Sequence, residues 1–276
     1  MPRPSAAPTP YLQVDAFTDR PHRGNPAAVC LLHEPRDARW MQAVAAEANL
    51  SETAFTWTED GARRLRWFTP RTEVELCGHA TLAAAHALWE HGAVEADRPI
   101  AFETLSGRLV AEREGARVRL DFPALPPSEP GNAPAGLAEA LRSEPVEVRR
   151  VHRPSAPDDP SWLVVLASAE ELAALAPDFD ALRRIPHHGV VATAAGSGSV
   201  DFLSRFFAPR VGVDEDPVTG SAHCTLAPYW CERLGRDELL GRQISARTGE
   251  VLVRRVGDRV HLLGHAVTVL RGVLLV

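Results

Sequence analysis

One short sequence occurs twice in the chain, and this repeat constrains the fold more than any other feature. The two copies are RWFTPR at residues 66–71 and RFFAPR at residues 205–210. Each copy is followed by a glycine, Gly78 or Gly220, that opens an alanine-containing stretch. The third residues of the two hexapeptides are 139 residues apart, and the two glycines are 142 apart. This period is far longer than the roughly 20–50 residues of repeat arrays, so we expect a duplicated domain.

The order of predicted elements is also the same in the two halves. Apolar spacing predicts a strand, a helix, further strands and then a helix that begins at the repeated glycine. The helices that begin at Gly78 and Gly220 are predicted to end at Gly92 and Gly235, because glycine commonly closes a helix. Residues 169–185 are predicted to form one continuous helix. The chain is therefore predicted to contain two α/β halves of similar topology.

A proline-rich segment lies between the halves. Residues 123–136 (PALPPSEPGNAPAG) contain five prolines and few apolar residues, a composition typical of domain boundaries. A length of 276 residues suits two domains of about 100–150 residues each. We place the break near residues 122–135, so that the first domain covers residues 1–122 and the second covers residues 123–265.

The polar residues near the two glycines differ between the copies, whereas the Phe, Pro, Arg and Gly positions agree. Extending the alignment upstream places Thr53 opposite Thr193 and Glu52 opposite Ala192. Drift of an exposed surface could produce this difference. We favour another interpretation, in which the two halves share one site and each half supplies different chemistry.

The two glycines are placed where a ligand could bind. The first backbone N–H groups of a helix have no partner within the helix and carry the positive end of its dipole. Helix N-termini therefore bind anions such as carboxylates, and a glycine allows close approach to the backbone. A glycine at a helix start is often only a cap, but a matched pair flanked by Glu, His, Asp and Ser favours a carboxylate-binding site at Gly78 and Gly220.

The composition excludes several classes of partner. The net charge is −6 without any basic block, so we expect no nucleic acid. No apolar run is long enough to span a membrane, and the proline-rich residues 1–10, an expected tail before the first strand, lack the apolar region of a secretory signal. The four cysteines, at positions 30, 77, 224 and 231, form no C-x-x-C pair, which favours a reducing, cytoplasmic location.

Four segments in the same order resemble the PhzF family of phenazine-biosynthesis-like isomerases over nearly the whole chain. They are VDAFTDRPHRGNPAAV, NLSETAF, FTPRTEVELCGHATLAAAH and DEDPVTGSAHCTLAPYW. The resemblance implies an α/β, diaminopimelate epimerase-like fold with two similar domains, each a barrel-like, mostly antiparallel sheet around a central helix. It also implies that a last strand, about 266–276, returns to the first domain. The implied reaction is a cofactor-free isomerisation of trans-2,3-dihydro-3-hydroxyanthranilate by proton transfer between ring carbons.

The resemblance further assigns site residues. It makes Glu52 the acid/base group, with His79 and Asp216 as its catalytic partners. The implied substrate-binding residues are Gly78, Gly220 and Ser221. Cys77 departs from the family pattern, and we expect it to line the substrate site as a small residue. The implied partner is a small-molecule carboxylate substrate; a homodimer is compatible with the resemblance, and the sequence leaves the oligomeric state open.

Two alternatives remain. Cys77 before Gly78 also resembles the first motif of proline racemases and diaminopimelate epimerases, in which two thiols act from opposite faces of the substrate. The matching residue of the second half is Thr219, so a racemase that uses Cys77 is the second choice. A non-catalytic carboxylate-binding protein is the third. No metal is expected, because the spacing of Cys77, His79, His223 and Cys224 matches no usual ligand pattern.

Overall fold

The computed structural model describes residues 8–153 and 156–275. Most of the proline-rich N-terminal segment, for which the sequence predicts a tail without a secretory signal, lies outside the described residues. The chain divides into two compact units. The first contains residues 1–121 and 263–276, and the second contains residues 122–262.

The first unit is built on a mixed sheet. Its strands are β1 (Thr9–Ala16), β2 (Asn25–Leu31), β3 (Glu52–Glu59), β4 (Ala62–Phe68), β5 (Glu73–Val74), β6 (Ile100–Thr104), β7 (Gly107–Glu114), β8 (Arg117–Pro123) and β17 (Ala266–Leu274), and its helices are α1 (Ala38–Ala48) and α2 (Gly78–Glu90). The strand order is β17–β1–β2–β3–β4–β6–β7, β5 is a short addition beside β4, and β8 pairs with β7. The β2–β3 and β4–β6 pairs are parallel and the others are antiparallel.

The second unit repeats this arrangement. Its strands are β9 (Glu147–Val151), β10 (Ser161–Val165), β11 (Val190–Ala195), β12 (Phe202–Ala208), β13 (Val213–Asp216), β14 (Glu238–Gln243), β15 (Gly249–Val256) and β16 (Arg259–Gly264), and its helices are α3 (Leu137–Leu141), α4 (Ala169–Ala174), α5 (Phe179–Arg184) and α6 (Gly220–Leu234), with a 3₁₀ turn at Pro209–Val211. The strand order is β9–β10–β11–β12–β14–β15, with β13 beside β12. The β10–β11 and β12–β14 pairs are parallel, as are their counterparts in the first unit.

The repeated hexapeptide has the same structural role in both units. Arg66 on β4 makes a two-pronged ion pair with Glu73 on β5, with N–O distances of 2.6 and 2.7 Å. Arg205 on β12 makes the matching pair with Glu215 on β13, at 2.8 and 3.0 Å. Each guanidinium also lies over the ring of the phenylalanine two positions later, where it gains a cation–π attraction. The repeated Arg-x-Phe sequence therefore fastens the segment that leads into each central helix.

The hydrogen bonds correct the alignment of the two halves upstream of the hexapeptides. The hydroxyl of Thr56 donates to the carbonyl of Arg64 at 2.8 Å, and the hydroxyl of Thr193 donates to that of Leu203 at 2.6 Å. The carbonyls of both threonines accept a backbone N–H at 2.9 Å. Thr193 therefore corresponds to Thr56, and the expected match with Thr53 is wrong.

The error comes from the length of the hairpin loops. Two residues lie between the last paired positions of β3 and β4, and four lie between the equivalent positions of β11 and β12. A constant spacing therefore fails upstream of the loop, and Glu52 corresponds to Gly189 instead of Ala192. A Cβ atom built at Gly189 would lie 2.4 Å from Cζ of Phe206. The aromatic ring therefore fills the space next to the position that matches Glu52.

The second unit also corrects the helix expected at residues 169–185. Two short helices, α4 and α5, stand there, separated by four residues that include Pro177. Proline lacks a backbone N–H and disfavours helical geometry in the residue before it. Asp178 then caps α5, because its carboxylate accepts the N–H of Ala181 at 2.9 Å. The chain therefore restarts a helix after the proline.

The two central helices begin where the sequence predicted. Helix α2 starts at Gly78 and is followed by Gly92 at φ 75°, and α6 starts at Gly220 and ends at Gly235 with φ 63°. Ten of the 13 residues of α2 are buried, because it packs against β1, β2, β3, β7 and β17. Among the residues that the structure describes, no helix combines the length and hydrophobicity needed to cross a membrane.

Candidate active site

Glu52 stands at the first position of β3. This strand runs parallel to β2, with Glu52 opposite Ala27, and every residue from Thr53 to Trp57 is buried. The glutamate is thus the polar end of an apolar strand. Its side chain keeps 18% of its surface exposed, so the carboxyl group is shielded from most water but remains accessible.

Helix α2 brings Cys77 and His79 to the same place. Cys77 is the N-cap residue in extended conformation (φ −145°, ψ 108°). Its carbonyl accepts the hydroxyl of Thr81 at 2.6 Å. Its sulfur lies 3.5 Å from Nδ1 and 4.0 Å from Nε2 of His79.

The imidazole ring of His79 contacts a polar group at each nitrogen. Nε2 lies 3.0 Å from Oε2 of Glu52. Nδ1 lies 3.2 Å from Nδ2 of Asn25, the first residue of β2, which is fully buried. Because amide oxygen and nitrogen positions are assigned from the surrounding hydrogen bonds, either end of the Asn25 amide could face the ring. The imidazole is therefore held between a carboxyl group and an amide.

The loop before β2 fixes the backbone at Asn25. Gly24 adopts φ 64°, and a Cβ atom there would lie 2.1 Å from the carbonyl oxygen of Ala16. The N–H of His22 donates to the buried carboxylate of Asp15 at 2.7 Å. Only glycine fits at position 24, since it tolerates both the conformation and the close approach. The tight loop thus positions the Asn25 side chain against the His79 ring.

The charge states of the cluster follow from burial and neighbouring groups. Burial lowers the pKa of His79, but Cys77 and Glu52 beside it outweigh burial and hold that pKa well above its ordinary value. Burial, together with the carboxylate of Glu52, raises the pKa of Cys77 to about 11. At neutral pH the thiol of Cys77 is therefore protonated, and the carboxylate of Glu52 makes the imidazole of His79 more basic.

This arrangement can take up and return a proton. A carboxylate that is partly shielded and held by the imidazole of a histidine is suited to general acid–base chemistry. The same three side chains also offer a set of metal ligands, because one donor atom from each of Glu52, Cys77 and His79 lies within 4.8 Å of the others. The sequence spacing missed this set, since the strand residue Glu52 is far from the Cys-x-His pair in the chain.

The residues predicted for the second unit surround the start of α6. The carboxylate of Asp216 accepts a hydrogen bond from the hydroxyl of Thr219. Gln243 joins the same network, because its amide donates to the carbonyl of Asp216 at 2.7 Å and accepts the N–H of Thr219 at 2.9 Å. Gly220 is buried and Ser221 is exposed. Asp216 thus helps to order the N-terminus of α6.

Two buried residues of α6 that could suggest metal binding have structural contacts. Nδ1 of His223 lies 2.8 Å from the carbonyl oxygen of Thr219. The thiol of Cys224 contacts the carbonyl of Gly220 at 3.6 Å. Burial lowers the pKa of His223 to about 4 and raises that of Cys224 to about 12. Both side chains are therefore uncharged at neutral pH.

The structure thus brings together three of the predicted residues, Glu52, Cys77 and His79, with Gly78 between the last two. Asp216, Gly220 and Ser221 belong to the second unit. Sequence reasoning did not identify Asn25 or Gln243. The position of Asn25 between Gly24 and Pro26, two turn-forming residues, could have drawn attention to it, whereas no local pattern marks Gln243.

Comparisons with protein families, with curated proteins and with solved structures agree on one family for this chain. The PhzC-PhzF model, described as phenazine biosynthesis-like protein, matches residues 14–272. An uncharacterised isomerase of Halalkalibacterium halodurans is 48% identical over 268 residues, which cover 97% of this chain and 98% of that protein. The crystal structure of a PhzF family protein from Enterococcus faecalis superposes with a TM-score of 0.89 at 39% identity, and covers 97% of this chain and 99% of the other. The family and the names of these relatives indicate an isomerase.

A more distant structure shows how widely this fold occurs. A hydroxyproline epimerase from Agrobacterium vitis, solved with bound trans-4-hydroxy-L-proline, superposes with a TM-score of 0.63 at 14% identity, and covers 97% of this chain and 92% of its own. At that identity the likeness concerns the fold alone. The predicted diaminopimelate epimerase-like, mixed α/β class is thereby confirmed.

Proposed function

The chain belongs to the PhzC-PhzF family of phenazine biosynthesis-like proteins, and on that premise we propose that it moves a proton between two carbons of a small cyclic carboxylate. The substrate resembles trans-2,3-dihydro-3-hydroxyanthranilate, and the reaction uses neither a metal nor an organic cofactor. The observation that carries the proposal is the 3.0 Å contact between Glu52 and His79 at the start of α2.

Glu52 is the proposed acid/base group. Its carboxylate takes a proton from an sp³ carbon, and the electron pair of the broken C–H bond forms a new double bond to the adjacent carbon. The electron pair of the original double bond moves to its far carbon, which receives the proton from the carboxyl group. The substrate is neither oxidised nor reduced, and Glu52 returns to its starting state. A partly shielded carboxyl can return the same proton, because exchange with water is slow while substrate covers it.

His79 is the proposed partner of Glu52. As an imidazolium it stabilises the carboxylate before proton abstraction and holds it in one orientation. Asn25 at the opposite nitrogen keeps the ring in place. Once Glu52 is protonated, the positive charge of His79 is available to the negative charge that develops on the substrate.

The substrate carboxylate is assigned to the N-terminal N–H groups of a central helix. In the first unit these belong to Gly78 and His79, where the helix dipole favours an anion. Gly220 and Ser221 hold the corresponding place in α6, and Asp216 lies just before it. Their participation in the reaction is predicted from the sequence, and substitution of each residue tests it.

A thiol mechanism is less well supported. The 3.5 Å contact of Cys77 with His79 would let the imidazole assist a thiolate base. However, the pKa of Cys77 is raised to about 11 by burial and by Glu52, so the nucleophilic thiolate is rare at neutral pH. The residues that match Cys77 and Glu52 in the second unit, Thr219 and Gly189, offer neither a thiol nor a carboxylate. A two-base racemase needs such a second base.

Reaction in deuterated water tests the proposed function. The purified protein is incubated with trans-2,3-dihydro-3-hydroxyanthranilate and with a panel of small cyclic carboxylates, and the products are followed by NMR. We expect one product with a shifted double bond that retains part of the substrate's own hydrogen at the new position. Inversion of a stereocentre with full incorporation of deuterium would favour the racemase. Binding without exchange at any carbon would favour a carboxylate-binding protein.

We also propose a homodimer in the cytoplasm as the working form. Sedimentation equilibrium of the purified chain tests the dimer, because a monomer has a mass of 30.0 kDa. A single species at that mass over a hundredfold range of concentration would overturn this part of the proposal.

A further inference from the structure

We propose that Glu52, Cys77 and His79 form a binding site for a thiophilic divalent cation, of which Zn²⁺ is the best fit, and that the bound ion inhibits the protein. Among the residues that the structure describes, these three are the one group of Cys, His and acidic side chains whose donor atoms cluster closely enough to share an ion. The binding site rests on geometry alone. The inhibition additionally rests on the proposed role of Glu52 in proton transfer.

The distances within the cluster resemble one face of a zinc tetrahedron. Zinc bonds of about 2.3 Å to sulfur and about 2.0–2.2 Å to nitrogen and oxygen place tetrahedral ligands about 3.4–3.6 Å apart. The observed separations from Nε2 of His79 are 3.0 Å to Oε2 of Glu52 and 4.0 Å to Sγ of Cys77. Each of these two separations differs from the ideal by about half an ångström. The third, between Sγ of Cys77 and the carboxylate of Glu52, is within 4.8 Å, so closing the face requires the sulfur and the carboxylate to rotate towards each other.

The surroundings of the three donors also suit an ion. Cys77 and His79 are buried, and the partly exposed Glu52 leaves a path from solvent. When Nε2 binds the ion, Nδ1 carries the proton and needs an acceptor, which the amide oxygen of Asn25 supplies once that amide is turned by 180°. Such a contact to the second ring nitrogen accompanies nearly every zinc-bound histidine. Three protein ligands leave a fourth position for water or a substrate carboxylate.

Binding exchanges protons for the ion. The thiol of Cys77 releases its proton to solvent because a coordinated thiol is deprotonated outright, and the Nε2 proton of His79 also leaves. The ion then binds the carboxylate of Glu52, which is no longer available to accept a proton from the substrate. Zn²⁺ should therefore reduce turnover in a manner that a chelator reverses.

Cobalt(II) is the probe for the site because zinc has no visible spectrum. The full-length chain is titrated with Co²⁺ under reducing, oxygen-free conditions. We expect one equivalent to produce a near-ultraviolet thiolate-to-cobalt charge-transfer band together with visible bands of tetrahedral intensity, and one equivalent of Zn²⁺ to abolish both. If the wild-type chain shows no charge-transfer band, the proposed site does not exist.

Matched cysteine variants locate the ligand. Cys77→Ser should remove the charge-transfer band, whereas Cys224→Ser, which alters the buried thiol on α6, should keep it. A triple variant with serine at positions 30, 224 and 231 retains only Cys77 and should give the wild-type spectrum even if Cys77→Ser fails to fold. Retention of the band in a folded Cys77→Ser protein, or its loss in the folded triple variant, would overturn the assignment.

The contact of Asn25 with Nδ1 of His79 allows a quantitative test of the proposed coordination. Asn25→Ala should weaken the affinity for Co²⁺, measured from the charge-transfer band in the titration, by about 10–100-fold, the usual effect of losing the partner of a metal-bound histidine. An unchanged affinity would contradict the proposed coordination through Nε2. Because the spectra require no turnover, an inactive protein that gives the expected bands would refute the proposed reaction while leaving the metal site intact.

Discussion

Nε2 of His79, on the first turn of a helix, lies 3.0 Å from Oε2 of Glu52, at the start of a strand 27 residues earlier in the chain. The other ring nitrogen, Nδ1, contacts the side chain of Asn25, which belongs to a third element, β2. Three separate segments of the first unit therefore converge on one imidazole. This convergence gives the site a defined charge and orientation.

Removing the amide beside His79 should destabilise the fold. In Asn25→Ala the buried Nδ1 of His79 loses its amide neighbour and keeps only the weakly hydrogen-bonding sulfur of Cys77; a poorly satisfied buried group costs about 1–3 kcal/mol. Urea denaturation followed by circular dichroism measures the free energy of unfolding. Gln42→Ala, which removes a partly buried amide that donates to the carbonyl of Thr69, is the control and should cost less. Equal stability of Asn25→Ala and wild type would show that the amide does not hold the ring.

The aromatic ring beside Gly189 should make that position intolerant of a side chain. Gly189→Ala would place Cβ 2.4 Å from Cζ of the buried Phe206, and overpacking of this kind costs about 1–3 kcal/mol. Gly131→Ala is the control, since no atom lies within 4 Å of its added Cβ. Phe206→Leu combined with Gly189→Ala should recover part of the loss. Additive effects in this double-mutant cycle would argue against the contact.

Stability should fall as the pH decreases from about 6.5 towards 4. Burial lowers the pKa of His223 to about 4, whereas in the unfolded chain the pKa is about 6.5. The unfolded state therefore binds more protons in this interval, and the free energy of unfolding falls by up to about 3 kcal/mol from this residue.

A pair of variants checks the origin of this pH dependence. His223→Gln should flatten the decline in unfolding free energy between pH 6.5 and 4. His188, whose pKa burial also lowers to about 4, is more exposed, so His188→Gln should flatten it less. Parallel profiles of wild type and His223→Gln would show that His223 is not the group responsible.

The sequence predicted the regular elements of the two units well, because their signals are local. The glycines at or near the ends of α2 and α6 mark the helix boundaries through their backbone conformation. Strand alternation likewise reveals β1 and β3. The helix expected at residues 169–185 failed because apolar periodicity continued across Pro177, where the backbone could not follow.

The alignment of the two halves failed for a different reason. The identity of Thr53 and Thr193 suggested an alignment register for the two halves. Only the pairing of the strands by hydrogen bonds shows that the second hairpin loop is longer. The contact of Asn25 with His79 was equally inaccessible, since it depends on the path of the loop that ends at Gly24. Local patterns in sequence do not contain such long-range contacts.

The most direct test of the account compares Glu52→Gln with Cys77→Ala in turnover of trans-2,3-dihydro-3-hydroxyanthranilate. Glutamine keeps the shape of Glu52 but cannot accept a proton, and general acid–base groups typically contribute about 10²–10⁴-fold to rate. We predict that Glu52→Gln binds substrate, measured by isothermal calorimetry, but loses at least about 100-fold in turnover, whereas Cys77→Ala retains most of it. Loss of turnover in Cys77→Ala together with its retention in Glu52→Gln would contradict the account and assign the proton transfer to the thiol.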